Sequence, residues 1–356
     1  MKKSFRYIVL SLVLLLGFNA PEAFAGNEDR SGQAGAAELL INPWAASAGF
    51  GNAGMSYVKG VEALFGNVAG LSHIRTMDVN FSHTDWLHGS SIRVSSFGLG
   101  VRVGESSVLD LGFMSFNLGT IPQTTTESPD GGIGTFKPSL LNINLAFAKT
   151  FSNSISGGFN LKIINESIAN MGAFGVALDA GIQYVTGPFD NIHFGITLKN
   201  IGPTMTFSGD GLSIKAYLLP GTTLQHTVIQ RADQFELPTQ LSIAAAYDFH
   251  LGETSRLTVA GNFISNSFTK DQYVLGLEYG WKEYFLLRAG YTYESGLLSG
   301  ALDDECMNLN NGLSAGVSFQ VPISKKEDAP MFAVDYAYRT TYSYGGTHSI
   351  GARLIF

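Results

Sequence analysis

Large apolar residues alternate with small or charged residues along most of the chain after residue 76. In the stretch 273–281 the odd positions are large and apolar, and the even positions are smaller or charged. The same period of two recurs in 285–293, 332–339 and 350–356. This period is typical of a β-strand with one apolar face. The pattern therefore predicts an all-β protein.

The predicted strands have the number and length expected of a membrane barrel. Strands of about ten residues with aromatic ends can cross a bilayer at a tilt, and they favour a barrel over the alternative of a soluble β-sandwich. The sequence predicts a transmembrane antiparallel β-barrel of about fourteen strands, at 77–86, 90–103, 107–118, 138–150, 154–166, 173–185, 191–199, 238–250, 255–265, 271–281, 284–293, 311–321, 330–341 and 345–356.

The connections between these strands predict the topology. The long ones at 119–137, 200–237 and 294–310 all fall on one side, and nearly all the turns on the other side are short. Bacterial outer-membrane barrels have long outer loops and short periplasmic turns. We therefore expect the chain to lie in a bacterial outer membrane, in contact with its lipid.

The N-terminus has the order of a secretory signal peptide. Lys2, Lys3 and Arg6 precede an apolar run at 7–18, which is followed by the small-residue triplet at 23–25. An apolar run of this length is too short to span a bilayer as a helix. We predict three parts: a signal peptide at 1–25, an N-terminal plug segment at 26–75 and the barrel at 76–356.

Composition narrows the function classes. The formal net charge is -7, and residues 1–25 carry three basic residues and one acidic residue, so the mature chain is more acidic still. An acidic chain without a basic block has no electrostatic footprint for nucleic acid. Charged residues make up only 14% of the chain. This is typical of membrane barrels, whose strands present apolar side chains to lipid at alternate positions.

The sequence shows no catalytic or metal-binding constellation. The seven histidines are scattered, and no Gly-x-Ser-x-Gly element occurs. His83 and Asp85 lie on one strand face, where a hydrogen bond inside the lumen is favoured over an acid–base pair. The acids at 303–305 lack the spacing of a calcium loop and are interpreted as a solvated loop. We predict no enzyme activity, no cofactor and no metal site.

Charges of both signs share the polar face of several strands. Arg288, Arg339 and Arg353 alternate with apolar positions in the same way as Glu278 and Asp335. An unpaired charge inside a crowded barrel is costly to desolvate. We therefore expect these five side chains to pair with one another and to support the plug segment.

The plug segment is predicted from its small residues and from a family resemblance. Small residues at 39–55 let backbones approach closely, and fourteen strands enclose a lumen that their own side chains do not fill. The motifs at 42–55 (NPWAASAGFGNAGM) and 62–71 (EALFGNVAGL) resemble the N-terminal signature of the PorV/PorQ family of Bacteroidetes. The stretches 199–203 (KNIGP) and 237–239 (LPT) also match the family, whereas the family's usual Asn-Pro-Ala-Gly-Leu element has Val68 in place of proline.

The resemblance implies a specific role. The family resembles the FadL fatty-acid channels in having fourteen strands and an N-terminal hatch, and it belongs to the type IX secretion system, with paralogues linked to gliding adhesins. A member is expected to bind the signal domain of exported cargo beside the translocon barrel. The hatch residues carried over from the motifs are Asn42, Pro43, Trp44, Asn67, Val68 and Ala69.

Two functions follow, and each needs its own surface. A cargo-binding protein needs an exposed apolar patch at its outer loops, whereas a FadL-like channel for small hydrophobic molecules such as fatty acids needs an apolar pocket beneath them and an opening in the wall or hatch. The loop at 200–237 is unusually apolar. It supplies the candidate cargo contacts Phe207, Tyr217, Leu218 and Leu219. The sequence favours the secretion role because of the resemblance.

Overall fold

Fourteen of the strands form one closed antiparallel barrel, in which each strand pairs with its neighbours along the chain and the last pairs with the first. The computed structural model describes residues 26–217, 224–297, 308–324 and 329–356. The predicted signal peptide at 1–25 lies outside these residues. The barrel strands are β1 (Met77–Trp86), β2 (Ile92–Val103), β3 (Ser107–Asn117), β6 (Ser139–Thr150), β7 (Ile155–Ile168), β8 (Met171–Thr186), β9 (Ile192–Ile201), β14 (Gln240–His250), β15 (Ser255–Asn266), β16 (Gln272–Trp281), β17 (Phe285–Glu294), β18 (Asn310–Pro322), β19 (Met331–Thr341) and β20 (Thr347–Ile355).

This barrel confirms the predicted fold class. Each predicted strand is present, with ends that differ by at most two residues from the observed ones. The two faces also follow the predicted alternation, since Leu275 on β16 is 65% exposed whereas its neighbour Val274 is 2% exposed. Apolar side chains therefore cover the outside of the barrel, and the alternate residues point into the lumen.

The two ends of the barrel differ in their connections. At one end, here called the turn end, the strands are joined by short segments such as 104–106, 251–254 and 282–284. At the other, here called the loop end, the connections include 118–138 and 202–239. The loop end carries six short strands that the sequence did not predict: β4 (Ile121–Pro122), β5 (Thr135–Phe136), β10 (Met205–Thr206), β11 (Ser213–Ala216), β12 (His226–Ile229) and β13 (Gln234–Phe235).

The N-terminal segment, residues 36–74, consists of short helical turns that lie against the inner face of the barrel. One turn is the α-helix α1 (Ala45–Gly49). The others are 3-10 turns at Ala37–Leu40, Ala53–Ser56, Gly60–Phe65 and Val68–His73. Among the described residues, no helix is long and apolar enough to cross a membrane.

The main apolar core lies between this segment and the wall. Trp44, Leu64, Phe65 and Leu71 of the segment are buried against inward-facing residues of β2, β3 and β6, including Met114. The rings of Trp44 and Phe65 meet edge to face with centroids 5.5 Å apart. The strands supply few large inward side chains, so the segment itself provides most of the apolar volume of the core.

Candidate functional site

The C-terminal half of the N-terminal segment is fixed to the barrel wall by hydrogen bonds to its backbone carbonyls. Arg102 on β2 donates to the carbonyls of Ile74 (2.7 Å) and Ser72 (3.0 Å). Lys199 on β9 donates to the carbonyl of Phe65 at 3.0 Å. Short 3-10 turns leave carbonyls without helical partners, and these wall side chains satisfy them.

The helix α1 and the turn that follows it are held mainly by close contact with glycines of the wall. A Cβ atom at Gly290 would lie 2.5 Å from the carbonyl oxygen of Phe50, and one at Gly316 would lie 2.9 Å from the Cα of Gly49. Only glycine allows such an approach between two backbones. The inward glycines of β17 and β18 therefore form a shallow seat for residues 45–56.

The residues carried over from the family motifs are all buried in this segment. Asn42 Oδ1 accepts a hydrogen bond from the backbone N–H of Trp44, and Asn67 Oδ1 accepts one from that of Ala69. Asn67 also reaches the wall, where its Nδ2 donates to the carbonyl of Ile182 at 3.0 Å. Pro43 and Val68, which follow these two asparagines in the chain, are also buried.

Two cavities lie beside the seated turn, one toward each end of the barrel. The inner cavity, toward the turn end, has a volume of about 480 Å³. The outer cavity, toward the loop end, has a volume of about 280 Å³. Asn52 lines both cavities, with Phe50 on the inner side and Gly51 on the outer side. The turn at 50–52 therefore separates the two spaces.

The inner cavity is bordered by a chain of charged side chains that runs around the wall. Glu278 accepts from Arg288 at 2.5 Å and from Arg256 at 2.9 Å. Asp335 pairs with Arg353 at 2.7 Å, and Arg353 lies 3.5 Å from Glu62 of the N-terminal segment. From Arg256 the chain of charges continues to Asp248, whose carboxylate is in hydrogen-bond contact with the ring of His193 at 3.0 Å.

The predicted pairing of lumen charges is therefore correct for Arg288 and Arg353 but wrong for Arg339. Among the described residues, Arg339 forms no ion pair and no hydrogen bond, and it lines the outer cavity instead. The physical reason is the position of each residue along β19. Arg339 lies near the loop end of this strand, whereas Asp335 lies four residues nearer the turn end. Strand alternation predicted that both side chains lie on the inner face. It did not predict how far Arg339 lies from the carboxylates on neighbouring strands.

The outer cavity has a mixed lining, in which polar side chains are at least as numerous as apolar ones. Its apolar lining includes Leu40, Trp86, Ile264 and Leu297. Its polar lining includes Glu294, which accepts hydrogen bonds from Gln272 (2.8 Å) and Asn308 (3.3 Å). Ligand pockets combine apolar walls with placed polar groups that orient the ligand, and both kinds of side chain are present here.

The barrel wall is irregular where it borders the outer cavity. The pairing of β17 with β18 ends at Tyr291 and Leu313, so the last three residues of β17 have no ladder partner on β18. The pairing of β18 with β19 also shifts register between Asn310 and Ser314. Leu313 lines the cavity although its side chain is 53% exposed on the outer face. The cavity therefore reaches the wall at this point.

The two candidate cargo contacts within the described residues, Phe207 and Tyr217, differ in burial. Phe207 is half-buried, with its ring 5.6 Å from that of Phe235 and packed onto an apolar cluster at the loop end. Tyr217 is 61% exposed and accepts a hydrogen bond from Gln225. Leu218 and Leu219 lie outside the described residues. Exposed apolar side chains do occur nearby, at Ile214 and Ile229 of the hairpin formed by β11 and β12.

Two titratable groups of the N-terminal segment make the stability of the folded protein depend on pH. Burial, with the neighbouring Glu166 adding to the effect, raises the pKa of Glu38 to about 7. Burial, with a smaller contribution from Lys59, lowers the pKa of His73 to about 4. The stabilisation from neutral Glu38 is complete below its unfolded pKa of 4.5 and is lost as the pH rises through 7. That from neutral His73 is complete above 6.5 and is lost as the pH falls through 4.

We therefore expect the substitution Glu38→Gln to stabilise the protein at pH 8 and to have little effect at pH 4. The expected gain at pH 8 is on the order of 2–3 kcal/mol, because it removes the cost of ionising a buried carboxyl group. The midpoint of thermal unfolding of the purified protein in detergent, measured between pH 4 and pH 8, checks this. An equal change at both ends of the range would contradict it.

The comparisons with known proteins show the fold. No protein-family model and no curated protein matches the chain. Among solved structures, the toluene transporter TodX of Pseudomonas putida is 13% identical with a TM-score of 0.53, and the alignment covers 88% of this chain and 97% of that one. The Ralstonia pickettii toluene transporter TbuX is also 13% identical, with a TM-score of 0.50 and the same coverage. The chain therefore has the fold of these outer-membrane barrels, and no comparison supports the narrower PorV/PorQ resemblance.

Proposed function

We propose that the chain is an outer-membrane channel that binds small hydrophobic molecules in the outer cavity and passes them inward. The observation that carries the proposal is the outer cavity itself, a partly apolar pocket of about 280 Å³ beneath the loops and beside an irregular part of the wall. These are the two features that distinguish a channel for hydrophobic molecules from a protein-binding barrel. The loop end faces the outside of the cell in this proposal.

The arrangement of the two cavities supports an exit through the wall. A hydrophobic molecule that moved straight inward would enter the inner cavity, where it would displace water from Glu278, Arg288 and other charged groups. Desolvating charges without pairing them is costly. The wall beside Leu313 offers an apolar surface instead, and its strands lack part of their ladder hydrogen bonds. The likeness in fold to two toluene transporters agrees with this class of substrate.

The experiment that tests the proposal fills the outer cavity. Val274 points into the cavity from β16, and Val259 points outward from the adjacent strand β15. We expect Val274→Trp to lower the initial rate of toluene uptake at least fivefold in a host without other hydrophobic-compound channels, because the indole occupies the cavity. The matched control Val259→Trp, which changes only the outer face, should keep the rate within twofold. Equal rates for the two variants would contradict the proposal.

A second candidate function, binding of exported cargo for the type IX secretion system, has one observation in its favour. The hairpin of β11 and β12 pairs only with itself among the described strands, and its Ile214 and Ile229 are exposed together with Tyr217. An unpaired edge and an apolar surface are features by which a partner protein is bound. The translocon barrel and the cargo remain proposed partners on this basis.

One strain comparison separates the two functions. Replacing Ile214, Tyr217 and Ile229 together with Asp leaves the barrel strands unchanged, because the hairpin is outside the barrel sheet. Under the channel proposal, toluene uptake and the display of exported surface proteins both stay normal in this strain. Loss of surface display with normal uptake would instead support the secretion role.

A further inference from the structure

A groove lies on the outer surface of four neighbouring strands, β2, β3, β6 and β7, in the half of the barrel nearer the turn end. It has a volume of about 600 Å³. Its walls are almost entirely apolar, and they include Val101, Leu109, Leu145, Phe147, Phe159 and Leu161. The rings of Phe147 and Phe159 have their centroids 5.6 Å apart. The outward face of a membrane barrel is in contact with lipid, so this groove is open to lipid chains.

One charged side chain lies at the turn-end margin of the groove. Lys149 on β6 lies two positions beyond Phe147 on the same outward face, because side chains alternate between the two faces of a strand. Among the described barrel strands, no other outward position in the turn-end half carries a charge. Lys149 is exposed, and within the described ranges its side chain forms no ion pair and no hydrogen bond. Its ammonium group is therefore available to an anion at the membrane surface.

The neighbours of Lys149 leave room for a lipid headgroup. Lys149 pairs with Ser107 of β3 on one side and with Gly157 of β7 on the other, and both of these residues are small. A Cβ atom at Gly157 would lie 3.0 Å from the ring of Phe151, which is itself 68% exposed. Aromatic rings in membrane proteins are enriched at the level of the headgroups. The ammonium group of Lys149 therefore lies where the apolar groove meets the headgroup layer.

We propose that the groove and Lys149 together bind one anionic glycerophospholipid of the membrane leaflet that faces the periplasm. An acyl chain occupies the groove, and the phosphate accepts a hydrogen bond from Lys149, whose ammonium group is a compact point charge suited to phosphate. A net negative headgroup is favoured over a zwitterionic one, because the outward strand positions here add one positive charge and no negative charge. The inference concerns the outer wall and does not depend on what the lumen carries.

Native mass spectrometry of the purified full-length protein, released from a neutral detergent, measures binding of the first lipid molecule. The probes are dioleoylphosphatidylglycerol and dioleoylphosphatidylcholine, which have the same acyl chains and differ in headgroup charge. We expect phosphatidylglycerol to bind the native protein about fivefold more tightly, which is the effect of one lysine at an anionic lipid surface. Lys149→Gln should reduce this ratio to less than twofold. The control Lys282→Gln, which removes a lysine that lies over the Trp281 ring at the turn between β16 and β17, should preserve it.

The groove is tested separately with the double variant Phe147→Ala/Phe159→Ala, which removes two of its walls. Binding of both lipids should weaken at least threefold and by a similar factor, because the acyl chain loses contacts that do not depend on the headgroup. The matched control Phe285→Ala/Phe319→Ala removes another pair of neighbouring rings near the same end of the barrel, with centroids 5.0 Å apart, and should preserve both affinities. A heat-dependent shift in electrophoretic mobility shows that each variant is folded.

Three results would overturn the inference. The first is an equal affinity of the native protein for the two lipids, since a lysine that only extends its charge into interfacial water gives no such preference. The second is a preference that Lys149→Gln keeps or that Lys282→Gln loses to the same extent. The third is equal weakening by the two double variants, which would show that the lipid does not lie in the groove. None of these measurements involves toluene uptake, so each result leaves the proposed function unaffected.

Discussion

Deleting residues 36–70 is expected to turn the barrel into an open pore. The deleted stretch supplies the buried side chains of Trp44, Leu64 and Phe65, and the turn at 50–52 separates the two cavities. A barrel of fourteen strands has a lumen that its own inward side chains do not fill. We expect the conductance for potassium chloride in planar bilayers to rise at least tenfold over that of the intact protein.

A second deletion serves as a control for this experiment. Removing residues 210–230 takes away the hairpin of β11 and β12, which lies outside the barrel sheet, and should leave the conductance unchanged. A heat-dependent shift in electrophoretic mobility shows whether each deleted protein still forms a barrel. Conductance at the intact level in a folded 36–70 deletion would show that the segment does not close the lumen.

Lys162→Met is expected to destabilise the protein by about 3–5 kcal/mol, the usual cost of leaving a buried charge without its partner. Lys162 on β7 and Asp179 on β8 form an ion pair at 2.8 Å, and their side chains are only 2% and 4% exposed. Lys162 also donates to Asn200 Oδ1 at 2.6 Å. The Asp179 carboxylate would keep its hydrogen bond from the Asn200 N–H but would lose its cation.

The double variant Lys162→Met/Asp179→Asn should recover most of this loss, since it removes both charges and keeps an acceptor for the Asn200 N–H. Denaturant unfolding in detergent micelles measures the free energy for each variant. The exposed pair of Arg30 and Glu236 provides a comparison, and Glu236→Gln should cost less than about 1 kcal/mol. A double variant less stable than Lys162→Met alone would contradict the interpretation.

Much of the barrel followed from the sequence because strand alternation is a local property. Each inward position is fixed by its neighbours in the same strand, so the outward Leu275 and the inward Glu278 could be assigned without knowledge of the fold. The short strands of the loops were missed for the converse reason. β10 and β13 have two residues each and pair across 27 intervening positions, so no periodic signal marks them.

The candidate site was less predictable from the sequence than the barrel. Tyr217 was correctly placed in an exposed loop, but Phe207 in the same apolar loop packs against Phe235. Composition cannot separate these two cases, because an apolar loop residue is exposed or buried according to which other loop residues fold back on it. The glycines of β17 and β18 that contact residues 49 and 50 occupy inward positions, and this much can be read from the sequence. The sequence does not show that the backbone of another segment packs against them.

The sequence by itself determined the strand number, the face on which most strand residues lie and the side of the barrel that carries the long loops, since these depend on residues close together in the chain. His83, expected in the lumen, is an exception, because it lies on the exposed outer face of β1. The tertiary structure decided which charges meet. Alternation put Arg288, Arg339 and Arg353 on the same inner face, but within the described ranges the stagger between neighbouring strands brought only Arg288 and Arg353 to a carboxylate. Register is set by pairing across the whole sheet, so it was the closed barrel that left Arg339 in the outer cavity without a counter-ion among the described residues.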